Sequence, residues 1–207
     1  MIDEKSNVRI TAIRTGNGDL GDTKLGGKLF RKGHPIVQYC SALDMVQSYT
    51  DAVPEVWGDF APRELIQELL FRLGAAIGSR TPKNQEIALN EIGLLMENQI
   101  DHISGGLDTL DSFIRCTEYN RNLQRLRAVL RDAETKCVAA RDHIELEAKD
   151  ISENMLYMLE KAIKVLNIAS DWVFAFVWTY STEENGRLIK GAKWVPWADD
   201  KFLEMNR

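Results

Sequence analysis

Only three cysteines occur in 207 residues, Cys40, Cys116 and Cys137, and they form neither a CxxC pair nor a cysteine–histidine cluster. An odd, dispersed set excludes a disulfide-dense secreted scaffold and reads as reduced thiols in a cytosol-like compartment. An excess of positive charge is also missing: 26 basic against 31 acidic residues leave a formal net charge of -5. That balance argues against nucleic acid as a partner, because non-specific binding requires phosphate neutralisation over a broad basic surface. The longest apolar run near the C-terminus, Trp172 to Trp178, is too short to span a bilayer, so no membrane association is expected. Met1 to Asn7 is acidic and polar, unlike the basic-then-apolar opening of a signal peptide. These shortages imply a cytoplasmic protein, or one of the mitochondrial matrix if a eukaryotic leader has been processed away.

With 44% apolar and 28% charged residues, the chain has the composition of one globular domain rather than of a disordered or collagen-like one. Six of its 14 glycines fall between Gly16 and Gly33. Each interior glycine costs a helix roughly 1 kcal/mol relative to alanine, so residues 1–34 read as a Gly-rich loop or arm. Beyond it the pattern turns helical. A first helix is expected from near Pro35 to Asp51, followed by a connection at Pro54 and Gly58. The second starts at Pro62, a residue suited to the first helical turn, carries Leu65, Leu69, Leu70 and Leu73, and ends by Gly78 and Pro82. The third carries Ile87, Ile92, Leu95, Met96 and Ile100 and stops before Gly105-Gly106.

Leu107 to Glu184 contains neither glycine nor proline, room for two long antiparallel helices. Asp150 to Asn154 is the expected turn between them, with Ser152 as N-cap. Leu123, Leu126, Leu130, Ala133, Cys137 and Ile144 recur at helical period, as do Met155, Leu159, Ile163, Leu166, Ala169 and Val173. Alternating strand patterns are nearly absent. The fold class is therefore all-α, a bundle of about five helices over residues 35–190, with a tail at 191–207 that holds Trp194 and Trp197.

Three constellations could carry chemistry. In the arm, Gly16, Gly18 and Gly21 interleave with Thr15, Asp19, Thr23 and Lys24, so backbone N–H groups and hydroxyls could converge on an anion. It is neither a Walker loop nor a Rossmann fingerprint, and taken alone it reads as a mobile linker. On the helix from Asn120 to about Glu147, Arg127, Arg131 and Glu134 fall within a sector of roughly 60° along the flank of the apolar face. Arginines so placed suit bidentate recognition of carboxylate or phosphate, and equally a solvated salt-bridge ladder. Asn167 and Asp171 lie one turn apart in an otherwise apolar segment, where embedded polar groups need a hydrogen-bond partner from protein or ligand. His34, His102 and His143 lack metal-ligand spacing and read as structural or surface residues.

Taken in order, these segments resemble the PduO-type ATP:cob(I)alamin adenosyltransferases over most of the chain. The family's Gly-rich arm is matched by Thr15-Gly-Asn-Gly18-Asp19-Leu-Gly21-Asp-Thr23-Lys-Leu25-Gly-Gly27. Its next two motifs are similar to Lys32-Gly-His and to Val37 through Asp44 to Ser48. Its arginine helix resembles Leu123-Gln-Arg-Leu-Arg127-Ala-Val-Leu-Arg131-Asp-Ala-Glu134. Its C-terminal motif resembles Leu166-Asn167-Ile-Ala-Ser170-Asp171-Trp-Val-Phe174. Asp132 stands where the family has the second arginine of a pair, Thr135 replaces another, Leu20 replaces a lysine, and a P-G-G turn is absent.

The resemblance implies a five-helix bundle assembled as a homotrimer, with ATP at each subunit seam. By position, Thr15, Gly16, Asn17, Gly18, Thr23, Lys24 and Lys32 would bind ATP together with Arg131, Glu134 and Asn167. Arg127 and Asp44 would be the catalytic pair, joined across the interface. Phe113, Ser170 and Asp171 would face the corrinoid, with Phe113 as the hydrophobic wall that displaces an axial ligand. Magnesium would be held by the phosphates rather than by a protein cluster. The implied reaction transfers the 5′-deoxyadenosyl group of ATP to a reduced cobalamin, with a flavoprotein reductase and an adenosylcobalamin-dependent enzyme as further partners. A catalytically impaired ATP- or corrinoid-binding module of the same fold is the second reading, and a purely structural helical interaction protein the third.

Overall fold

The computed structural model of the chain describes residues 20–25, 28–78, 82–105, 116, 118, 120–146, 153–184 and 187–188. Within them the chain runs through two short strands, β1 (Asp22–Leu25) and β2 (Lys28–Arg31), then α1 (Pro35–Gln47), a 3-10 turn at Thr50–Ala52, α2 (Pro62–Gly78) and α3 (Pro82–Ser104). The long helices α4 (Arg121–Leu146) and α5 (Glu153–Thr182) follow, and a two-residue ribbon, β3 (Glu183–Glu184) with β4 (Arg187–Leu188), closes the series.

The five-helix bundle is as the periodicity requires. The apolar faces decide the packing: Leu123, Leu126, Leu130, Ala133, Cys137 and Ile144 of α4 are all buried. So are Leu159, Leu166, Ala169 and Val173 of α5. The contact between these two helices is the most extensive among the described elements, α1 lies along α4, and α3 lies along α5. Where α3 crosses α5, Gly93 would place a Cβ 3.5 Å from Ile168 Cδ1, so even alanine there is an ordinary contact with little space beyond it. Two polar links join the same helices. Trp172 Nε1 donates a buried bond of 2.9 Å to Gln99 Oε1, and near the surface Tyr157 Oη donates to Glu86 while Lys161 pairs with the same carboxylate at 3.3 Å.

Several boundaries differ from the sequence reading. The first helix ends at Gln47 rather than Asp51, because the Ser48 N–H closes on the carbonyls of Asp44 and Met45, the Tyr49 N–H on that of Val46, and the Ser48 hydroxyl donates to Met45 O at 2.7 Å. Residues that would have continued it form the 3-10 turn instead. Part of the expected loop is an antiparallel hairpin, with Asp22 opposite Arg31 and Leu25 opposite Lys28. Gly26-Gly27 is the kind of dipeptide that connects such strands, a signal outweighed by the density of glycine around it. Gly21, at φ 84°, takes a left-handed conformation that favours glycine.

The apolar content of α5 also extends beyond Trp172 to Trp178. Glu153–Thr179 has the length and mean hydropathy, 1.2, of a segment able to cross a bilayer. Over half of that window is buried within the bundle, as expected of a core helix packed between α3 and α4. The turn residues Asp150 to Ser152, the proposed cap among them, and the tail with Trp194 and Trp197 lie outside the described residues.

Candidate functional site

The arginine helix carries its charged stripe where the apolar face ends. Arg127 is half-buried, Arg131 exposed and Glu134 half-buried, while Leu126, Leu130 and Ala133 between them face the core. The Arg127 guanidinium lies over the ring of Phe174 on α5, 4.4 Å from its centroid. Its Nε is buried and without a hydrogen-bond partner among the described residues. Burial holds the Arg127 pKa below the usual arginine value, the neighbouring Arg131 adds to that, and Asp171 works against it. An arginine remains charged through such a change, and the weaker screening of a half-buried site lets its charge act more strongly at a given distance.

Asn167 and Asp171 do not lie embedded in the core. Both are exposed, on a narrow polar stripe of α5 that continues to Phe174 at i, i+4, i+7 spacing. The apolar residues around them in sequence point to the other faces of the helix, which is buried on most of its circumference. Ser170 is the reverse: it is fully buried, 0% exposed, and its hydroxyl has no hydrogen-bond partner among the described residues. The structure thus brings Arg127, Arg131, Asp171 and Phe174 together along the α4–α5 flank. Phe174 is the member that residue-type reasoning passed over, although its spacing from Asp171 places it on the same face.

Two substituted positions on α4 find local roles. Asp132 pairs with Lys136 one turn on, at 2.7 Å, on the exposed side of the helix. Thr135 donates its hydroxyl to Arg131 O at 2.9 Å. Neither acid nor hydroxyl enters the Arg127–Phe174 contact.

Asp44 stands apart from this cluster. It is exposed on α1 and lines an open groove of about 280 Å³ with Cys40, Leu43 and Gln47 from its own helix and Gln67, Leu70, Phe71 and Gly74 from α2. Among the described residues it forms no ion pair, so Asp44 and Arg127 do not meet within one chain. Burial in this helix pair, with Asp44 beside it, pushes the Cys40 thiol up to about 11.

On the hairpin, Thr23 is half-buried and Lys24 exposed, as neighbouring residues of a strand must face opposite sides of the ribbon. Lys32 is exposed at its base, where its backbone N–H donates to Gly21 O at 2.8 Å. Thr15, Gly16, Asn17, Gly18 and Phe113 lie outside the described residues. The hairpin is moored to the bundle by rings: Phe30 lies 4.8 Å from His34, and His34 lies 4.8 Å, edge-on, from His143 of α4. His34 also caps α1, its Nδ1 accepting from Ile36 N at 3.2 Å, while His102 packs edge-on against Phe60. Among the described residues no three histidine, cysteine or acidic side chains converge in a way that could hold a metal ion.

The bundle has known counterparts. It is similar to a phenylalanine-to-histidine variant of the PduO-type ATP:corrinoid adenosyltransferase from Lactobacillus reuteri, complexed with cobalamin and ATP, at 19% identity and a TM-score of 0.63 over 89% of this chain and 100% of that one. A phenylalanine-to-alanine variant in the same complex gives 20% identity and a TM-score of 0.62, over 87% and 100% of the two chains. An arginine-to-lysine variant complexed with ATP gives 22% and 0.59, over 81% and 93%. At these identities the likeness establishes the fold. No curated protein is significantly similar in sequence. The family itself is fixed by residues 13–180, which match the model of the cobalamin adenosyltransferases and span the arm, the arginine helix and the α5 stripe. With that match over most of its length, the chain belongs to the cobalamin adenosyltransferase family and is a transferase.

Proposed function

We propose that this protein transfers the 5′-deoxyadenosyl group of ATP to the cobalt of a reduced corrinoid, releasing triphosphate. The observation that carries the reading is the half-buried Arg127, set over Phe174 with Arg131 and Asp171 beside it, in a chain of this family. The neighbouring structures complexed with cobalamin and ATP support the same pair of substrates.

In the reaction the electron pair of the Co(I) corrinoid forms a bond to C5′ of ATP, and the C5′–O5′ bond breaks with its pair on the departing triphosphate. The protein's part is alignment and stabilisation of charge on the leaving group. Arg131, Lys24 and Lys32 are the cations suited to the phosphates, and Thr15 to Gly18, Thr23, Glu134 and Asn167 complete the nucleotide's surroundings. Phe113 and Asp171 face the corrinoid, and Ser170 joins them only if its buried hydroxyl becomes accessible. Magnesium enters as the counter-ion of the phosphates.

Asp44, in the α1–α2 groove and without an ion pair among the described residues, is available to the Arg127 of a second copy. Such a pairing would join copies of the chain into a homotrimer with sites at its seams. A cytoplasmic setting, a flavoprotein electron donor and an acceptor enzyme that uses adenosylcobalamin complete the reading. One observation favours the second reading, an ATP- or corrinoid-binding module without turnover: the acid at Asp132, where the family carries an arginine, is committed to Lys136.

An assay with reduced cobalamin and ATP decides between them. Formation of the Co–C bond is expected, and ATP binding without product would overturn the enzymatic reading in favour of the module. Arg127→Ala is expected to lower turnover by about a hundredfold or more, as loss of a charged group in a desolvated site does. Unchanged turnover would overturn its role.

A further inference from the structure

Phe174 is a half-buried residue on the polar stripe of α5, and what it touches there is a cation. The guanidinium of Arg127 sits 4.4 Å from its ring centroid, and the Nε of that guanidinium has given up water without gaining a hydrogen bond among the described residues. An aromatic face attracts a cation, and more strongly when the cation is desolvated. Contact at the ring leaves the terminal nitrogens as the donors available to a ligand or to a partner carboxylate. Asp171, one helical turn before Phe174 on the same stripe, offers the side chain a competing local partner, and Arg131 repels it from along α4.

We propose that Phe174 is a positioning residue for the transfer reaction: its ring holds the Arg127 guanidinium on the α4–α5 flank, with the terminal nitrogens directed outward instead of folded onto Asp171. The kinetic consequence rests on the adenosyl-transfer reading. The placement of Arg127 does not.

Two substitutions separate the ring's π face from its bulk. Phe174→Leu keeps an apolar side chain and removes the face, whereas Phe174→Tyr keeps the face. In protein labelled with 15N-arginine, the Arg127 Nε–H resonance, assigned by its loss in Arg127→Lys, is expected to be shifted by the ring current in the wild type and in Phe174→Tyr. In Phe174→Leu it is expected to move to the position of an ordinary arginine. With saturating ATP and reduced cobalamin, kcat is expected to fall about tenfold in Phe174→Leu and to recover mostly in Phe174→Tyr, the size of a desolvated cation–π contact, while the ATP Kd stays the same. An unmoved resonance in the leucine variant overturns the proposal. So does a wild-type kcat there, or a tyrosine variant as impaired as the leucine one. If the wild type shows no turnover, the transfer reading fails, and the resonance alone then decides whether Phe174 places Arg127. Phe174→Met makes the same separation with a more adaptable side chain if the leucine variant does not fold.

Discussion

The hairpin and the α4–α5 pair, both assigned to the nucleotide in the proposed function, are held in place by different means. The arginine stripe borders a continuous buried face, Leu123 through Ile144 on one helix and Leu159 through Val177 on the other, so its position is set by close packing over most of two long helices. The hairpin has no such face. Leu29 is 70% exposed, and the ion pair of Arg31 with Asp22, 3.2 Å long and well exposed on the arginine side, is of a kind that contributes little. Its mooring includes Leu25 and Phe30, half-buried against the core, and the ring contacts of Phe30 with His34 and of His34 with His143. The arginine stripe is thus fixed by packing, whereas the ribbon is held by a few side chains and has more freedom to adjust.

The difference is open to direct attack. Leu130→Ala removes a fully buried side chain from the rigid side and is expected to cost about 2–5 kcal/mol, read from urea denaturation. A loss under about 1 kcal/mol would mean that α4 is not packed as described.

The next effect depends on pH. Burial pushes the Cys137 thiol up to about 12 and raises Tyr39 well above its ordinary value, with the Tyr39 hydroxyl near that thiol and Cys137 Sγ donating to Leu159 O at 3.6 Å. Above pH 9 an unfolded chain releases the Cys137 proton while the folded chain keeps it, so the folded state binds more protons. The contribution is complete below pH 9 and is lost as pH rises toward 12. Between pH 8 and pH 10.5 stability is expected to drop by about 2 kcal/mol from this thiol. A flat profile in that interval, measured by chemical denaturation, would contradict the burial of α4 against α1.

Phe30→Ala is expected to cost only about 1 kcal/mol, as loss of one half-buried ring contact. It should also speed proteolysis within Asp22–Arg31 while leaving the helices protected. Equal protection of the hairpin would show a firmer anchor than the rings. Asp132→Asn is expected to change stability by less than about 0.5 kcal/mol, because its pair with Lys136 is an exposed i, i+4 contact. A larger change by denaturation would give that acid a role beyond its neighbour.

The helical bundle was legible because its evidence is repeated: each of Leu123, Leu126, Leu130, Ala133 and Cys137 restates the same period, and Pro62 marks where a helix begins, whereas Pro82, read as the stop of the second helix, opens the third. The hairpin was not, since glycine signals freedom of the backbone more plainly than it signals the conformation adopted, and strands of four residues offer few alternations. The stripe of Arg127, Arg131 and Glu134 followed from angle alone. The exposure of Asn167 and Asp171 did not, because in a helix buried around most of its circumference the flanking residues are apolar whether or not a given position faces water. The buried bond between Gln99 and Trp172 joins positions 73 residues apart and left no local trace.

That bond has an effect on the site as well as on the core. Apolar contact between α3 and α5 is tolerant of rotation, since one methyl group replaces another at small cost, but a donor and an acceptor 2.9 Å apart in a dry interior meet at one azimuth only. Trp172 directly follows Asp171 and precedes Phe174 by two residues. A turn of α5 by a single position, about 100°, would swing both off the flank and leave Arg127 facing aliphatic carbon. Gln99, which touches no part of the proposed site, therefore acts as its angular reference, a keyway that lets a helix be greasy on nearly every side and still present one particular edge.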